Sequence, residues 1–76
     1  MLRLPVVSGS EAVKALQRLG SFQDRKKGSH VVMKKVTPAG AIGCVIPMHR
    51  EVALGTLRNA LRMAGVSFEE FTEALK

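Results

Sequence analysis

The sequence lacks several features that would assign it to a common class. It has no tryptophan or tyrosine and only three phenylalanines, so the usual aromatic anchors of a base-stacking surface are missing. A single cysteine, Cys44, cannot form an internal disulfide, which is typical of a reducing cytoplasm. The longest apolar run, 41–48, is too short to span a bilayer, and residues 1–5 lack the layout of a signal peptide. We therefore expect a cytoplasmic protein without a membrane segment.

Acidic residues are also scarce, and half of them lie near the C-terminus. The chain has twelve Lys and Arg against six Asp and Glu, a net charge of +6, and residues 1–66 contain eleven of the basic and three of the acidic residues. Such an excess attracts polyanions, nucleic acid first and an anionic membrane second. A basic surface with no specific partner is the alternative.

The length of 76 residues predicts one small domain spanning 1–76, ordered over about 6–75. The core of so short a chain rarely supplies more than roughly 3–5 kcal/mol. A partner that binds only the folded form would therefore add directly to a thin margin.

The element order is predicted by two capping boxes, by turns at Gly28-Ser29 and Thr37-Pro38-Ala39-Gly40, and by Pro47, which ends the third strand. Ser8–Glu11 and Ser67–Glu70 both match S-x-x-E, which opens a helix. Apolar residues then follow at helical spacing up to Gly20 and, in a middle helix from about Leu54, up to Gly65. Strands are expected at 22–27, 30–36 and 41–46, the last as a central or doubly covered strand because it is almost wholly apolar. The fold class is therefore α+β, αβββα(α), a three-stranded antiparallel sheet with its helices on one face.

The first hairpin places chemistry-bearing residues on one face of this sheet. Gly28-Ser29 suits a two-residue type II′ turn, which pairs Lys27 with His30, Arg25 with Val32 and Gln23 with Lys34. Cross-strand partners share a face, so one face becomes cationic with His30 at its edge. The other face, next to the helices, is expected to carry these side chains: Phe22, Asp24, Lys26, Val31 and Met33.

Four short motifs in this order resemble the HicA (YcfA-like) family of toxins from type II toxin–antitoxin systems. They are Gly28-Ser29-His30, Pro47-Met48-His49, Gly55-Thr56-Leu57-Arg58 and Ala64-Gly65-Val66-Ser67. The resemblance covers about 6–75. The sequence departs from the family at two positions. The family often has Phe directly after the helix-ending Gly, but here Ser21 stands between Gly20 and Phe22. The family often has Lys before Gly-Thr-Leu, but here that residue is Leu54.

The resemblance implies a fold similar to the double-stranded-RNA-binding domain and cleavage of mRNA without metal or cofactor. It implies a HicB-type antitoxin that occludes the active site, and it maps the family's catalytic histidine onto His30. The chemistry agrees, because histidine suits proton transfer near neutral pH and cations stabilise charge developing on phosphorus. The residues expected to contact single-stranded RNA or mRNA are Arg25, Lys27, Lys34, Arg58 and Arg62, with Ser29 and His49 as possible secondary contributors.

Other interpretations stay open for these residues. His49 lies two residues after Pro47 in a loop, where it could only hydrogen-bond the backbone, act as a second proton-transfer group or contact the substrate. A two-histidine metal site with Asp24 and Glu51 has no recognisable ligand spacing, and Cys44 reads as a core residue. The rival functions are a non-catalytic RNA-binding module of the same fold and a structural subunit whose basic face meets an acidic protein.

Overall fold

The computed structural model describes residues 6–76 and has the predicted element order. The elements are α1 Gly9–Arg18, β1 Phe22–Lys27, β2 His30–Thr37, β3 Gly40–Pro47, α2 Leu54–Ala64 and α3 Phe68–Leu75. The strands form one antiparallel sheet in the order β1-β2-β3. The α+β fold with its αβββα(α) order is therefore confirmed. The signal-peptide prediction concerns residues 1–5, which lie outside the described part.

Both predicted capping boxes are formed. In α1 the Glu11 amide donates to Ser8 Oγ at 3.1 Å, and the Ser8 amide donates to Glu11 Oε1 at 3.0 Å. In α3 Ser67 and Glu70 make the same reciprocal pair at 3.2 and 3.0 Å. Each box satisfies backbone donors that a helix start leaves without an intrahelical partner, so the helix starts follow directly from the sequence.

The capping carboxylates should make the stability of the fold depend on pH in the acid range. Hydrogen bonds from the Ser8 and Ser67 amides and hydroxyls hold the pKa of Glu11 and of Glu70 below the ordinary 4.5. A lowered folded-state pKa stabilises the fold above the unfolded value and loses that contribution as pH falls through the folded value. We expect the melting temperature of Glu11→Gln, whose amide still accepts the bond but does not titrate, to rise relative to wild type as pH falls below 4.5.

Thermal melts of both proteins from pH 7 to pH 3 measure that difference. Glu69→Gln, in the first turn of α3 but outside the capping pair, is the control. A wild-type advantage that stays constant over the whole range would contradict the assignment.

The core lies between the sheet and the three helices. Val31 and Met33 from β2 are each 1% exposed, and they pair with Ile46 and Cys44 of β3 on the same face. The helix residues with little exposure that close this core are Ala12, Val13, Ala15 and Leu16 from α1, Leu57, Ala60, Leu61 and Ala64 from α2, and Phe71 from α3. No helix of residues 6–76 packs on the opposite face, and we call it the open face. Its strand residues are Phe22, Arg25, Lys27, His30, Val32, Lys34, Val36, Ala41, Gly43 and Val45.

The predicted register holds near the turn and fails beyond it. Lys27 pairs with His30 and Arg25 with Val32 as expected, but a β-bulge at Asp24 shifts the rest, so Gln23 pairs with Met33 instead of Lys34. Phe22 pairs with Lys34 and lies on the open face, 46% exposed. A bulge inserts one unpaired residue and so exchanges the faces of the residues beyond it. The placement of Phe22 and Gln23 was therefore wrong.

Two further expectations need correction. The strand β3 is an edge strand, and β2 is the central one; β3 looks continuously apolar because Cys44 and Ile46 face the core while Val45 is 48% exposed on the open face. Leu54 was expected in the apolar stripe of α2, but it begins that helix and is 51% exposed.

Candidate active site

A tight turn delivers His30 to the start of β2. Gly28 has φ of 59°, while no non-glycine residue in the described chain has positive φ, so Ser29 is at negative φ. That pair of signs fits a type II′ turn and excludes type I′, which needs both central residues at positive φ. Ser29 and His30 are exposed at the tip, and His30 faces Lys27 across the hairpin. The predicted edge position of His30 is therefore what the structure has.

Three cations share the open face with His30. Arg25 and Lys27 come from β1 and Lys34 from β2, and all three are exposed. Lys34 Nζ lies 3.5 Å from Asp24 Oδ2, with the two side chains 46% and 33% exposed. The bulge thus turns Asp24 away from its predicted place beside the core and towards Lys34. This ion pair offsets part of the Lys34 charge, whereas Lys27 is the cross-strand partner of His30 and Arg25 that of Val32.

The backbone of the His49 segment is tied to the same end of the molecule. Pro47 is the β3 partner of His30, and the Met48 amide donates to the Ser29 carbonyl at 2.6 Å. The Gly9 amide donates to the His49 carbonyl at 2.9 Å. Both histidines are exposed, and neither imidazole is hydrogen-bonded to any residue of 6–76. The fold therefore brings the two histidine-bearing segments together and leaves both rings open to solvent.

Arg58 and Arg62 lie apart from this site. They line a groove of about 340 Å³ between α2 and the start of α3, and no sheet residue contributes to it. The Arg58 guanidinium stands 5.1 Å from the centre of the Phe68 ring, and Arg62 donates to Asn59 Oδ1 at 3.2 Å. The structure thus separates the six predicted catalytic and RNA-contacting residues into four on the open face and two on the helical side.

Cys44 and the possible metal ligands can be placed as well. Cys44 is 4% exposed in the core, and burial raises the pKa of its thiol, so it is packed as a small apolar residue and is not a poised nucleophile. Among residues 6–76 no three His, Cys, Asp or Glu side chains come together as a metal site would require. None of the described helices has the length and apolar character needed to cross a membrane.

Sequence reasoning missed the apolar component of the open face. Phe22, Val36 and Val45 are 46%, 74% and 48% exposed there. The alternation along β2 and β3 gives Val36 and Val45 once the register is known, but the bulge that exposes Phe22 leaves no comparable pattern in the sequence. The open face is therefore mixed, with apolar patches beside the cations.

Comparison with known proteins identifies a family. A family model described as HicA toxin of bacterial toxin-antitoxin matches residues 9–66, which is most of the chain. A search of curated proteins finds no match. The matched range contains the turn with His30, the Pro47–His49 segment and both arginines of α2.

Proposed function

The chain belongs to the HicA toxin family of toxin–antitoxin systems, and from this membership we propose that it is an endoribonuclease that cleaves mRNA without a metal ion, with His30 as the general acid–base residue. The observation that carries the proposal is the position of His30. Its imidazole is exposed directly after a two-residue turn, on a sheet face that also displays Arg25 and Lys27.

This arrangement supports RNA cleavage by internal transesterification, in which the nucleophile is a 2′-hydroxyl of the RNA. The 2′-hydroxyl attacks the neighbouring phosphorus, gives its proton to a base, and the leaving 5′-oxygen takes a proton from an acid. A histidine at the scissile phosphate can serve either step. Arg25 and Lys27 would neutralise the charge that develops on the phosphoryl oxygens. His49 follows Met48, whose amide is bonded to the Ser29 carbonyl, and is the candidate for a second proton-transfer group.

Arg58 and Arg62 would extend RNA contact to the helical side. Both are exposed on α2 and carry no carboxylate partner within residues 6–76. A phosphate contact there would add affinity without adding chemistry, since the two arginines line a groove to which no residue of the sheet contributes.

The decisive test of the proposal is cleavage of an unstructured RNA by the purified chain in the presence of a chelator. We expect cutting to continue with excess chelator and to stop when the 2′-hydroxyl next to the cut is replaced by hydrogen, because that oxygen is the nucleophile. RNA that is bound but never cut would favour the non-catalytic binding module instead.

A toxin of this family works with an antitoxin, and we propose that the partner covers the open face. The cations Arg25 and Lys27 match an acidic partner, and Val36 and Val45 offer apolar area beside them. Co-expression with the neighbouring open reading frame should give a stable complex that no longer cuts RNA and melts at a higher temperature than the free chain. A complex that cuts as fast as the free chain would exclude occlusion.

A further inference from the structure

Phe22 is displayed on the open face and does not belong to the core. Its partner across the sheet is Lys34, it is 46% exposed, and it is absent from the apolar side chains that pack against the core. The other two phenylalanines are committed elsewhere: Phe71 is fully buried, and Phe68 lies under the Arg58 guanidinium. With no tryptophan or tyrosine in the chain, Phe22 is the one benzenoid ring on the open face of the described residues, and the other ring there is the imidazole of His30.

The surroundings of Phe22 are charged. Lys34 lies directly opposite, Asp24 pairs with that lysine at 3.5 Å, and Arg25 follows the bulge on the same face. A protein-binding hot spot is normally surrounded by contacts that exclude water, whereas the group directly opposite Phe22 is charged and the exposed Val36 and Val45 lie two residues beyond Lys34 and on β3. An aromatic face set among cations is instead the arrangement that binds unpaired bases, with the ring stacking on the base and the cations holding phosphates.

The distance to His30 suits one continuous strand. Lys34 and His30 are four residues apart on β2, about 13 Å at roughly 3.3 Å per residue, and Phe22 and Lys27 are their partners on β1. An unpaired strand whose phosphate lies at His30 would therefore place a base a short run further along over the ring of Phe22.

We propose that Phe22 is a base-stacking platform that positions single-stranded RNA on the open face, so that the phosphate to be cut lies at His30. This inference rests on the proposed ribonuclease function and adds a positioning residue to it. Stacking tolerates every base, so Phe22 would fix the register of the strand while selecting weakly among sequences.

The test uses the full chain with His30→Ala, so that RNA is bound without being cut. In that background Phe22→Ala should weaken binding of an unstructured RNA oligonucleotide by about 5- to 150-fold. Phe22→Trp should bind as tightly as the His30→Ala background. Phe22→Leu, which keeps apolar volume without an aromatic face, should bind as weakly as Phe22→Ala. Met63→Ala, which removes an exposed apolar side chain on α2 (56% against 46% for Phe22), is the matched control and should bind like the background.

Two readouts separate stacking from charge. In the Phe22→Trp variant the new side chain is the only tryptophan, and its fluorescence should be quenched by the oligonucleotide but not by inorganic polyphosphate. Replacing one nucleotide at a time by an abasic one should reveal a single position at which Phe22→Ala no longer costs affinity. The salt dependence of binding should be the same with and without Phe22, because a stacked base releases no counterions.

The outcomes are distinguishable. Salt-dependent RNA binding that is indifferent to Phe22→Ala and Phe22→Leu would overturn the platform and leave the proposed function in place. Absence of RNA binding at every salt concentration would overturn both. Loss of antitoxin binding with unchanged RNA binding would assign Phe22 to the protein interface and overturn the inference.

Discussion

Replacing His30 with alanine should abolish RNA cleavage while RNA affinity and melting temperature change little. A positioned acid–base group contributes about 10²–10⁴-fold in rate, which is roughly 3–5 kcal/mol of transition-state stabilisation. Affinity should persist because Arg25 and Lys27 still supply the charge on the open face. Stability should persist because the imidazole is exposed and makes no hydrogen bond within residues 6–76, and surface substitutions usually stay within about 0.5 kcal/mol.

His49→Ala is the matched comparison, since its ring is also exposed and its backbone is tied to the same turn through Met48 and Ser29. If His49 shares the proton transfers, its loss should slow cleavage by a smaller factor than the loss of His30. RNA cleavage, RNA affinity and thermal midpoint, measured on both variants, distinguish a catalytic role of each histidine from a structural one. A His30→Ala protein that cuts at the wild-type rate would remove His30 from the chemistry, and one that no longer folds would make it structural.

The parts of the fold that were predictable are those encoded by local chemistry. The two S-x-x-E boxes specify their own hydrogen bonds, and Gly28-Ser29 specifies the turn, so α1, α3 and the position of His30 follow from the sequence alone. Register near the turn was also predictable, because a two-residue loop fixes the first cross-strand pairs.

The bulge at Asp24 was not predictable, because it arises where the exit from α1 meets the register set by the hairpin turn. Ser21 is 8% exposed beside the core and its amide donates to the Leu16 carbonyl at 2.9 Å. Ser21 thus takes an inward position ahead of β1, and Phe22 points the other way. The strand then needs one extra residue to keep Arg25 opposite Val32. Such a compromise between a helix exit and a turn register depends on tertiary contacts that periodicity does not contain.

The separation of the basic residues also depends on tertiary packing, which the sequence pattern does not contain. Charge composition places Arg25, Lys34, Arg58 and Arg62 in one class, but only the packing of α2 against β3 sends the two arginines of that helix to the side away from the open face. The sequence gives the number of cations, but the topology decides which of them lie on the same face.

Gly9→Ala should cost a large share of the stability of this chain. A Cβ at Gly9 would lie 2.3 Å from the Pro47 carbonyl oxygen and 2.7 Å from Met48 Cα, and both obstacles are backbone. Overpacking of this kind costs typically about 1–3 kcal/mol, against roughly 3–5 kcal/mol expected from so small a core. The Gly9 amide also donates to the His49 carbonyl, so relief of the clash would move the segment that is bonded to the turn before His30.

Gly55→Ala is the matched control for that substitution. Gly55 also lies in the first turn of a helix, but a Cβ there would meet nothing within 4 Å. Alanine should therefore be neutral or should stabilise by up to about 1 kcal/mol through helix propensity. Urea unfolding gives both free energies, and an unchanged slope with denaturant would show that the same surface is exposed. Equal stability of the two variants would mean that α1 does not rest on the Pro47–Met48 backbone. A selective loss of stability in Gly9→Ala, with RNA cleavage slowed only in proportion to the fraction still folded, would show that this contact sets stability alone. Slower cleavage per folded molecule would show that it also sets the geometry at the histidine end of the sheet.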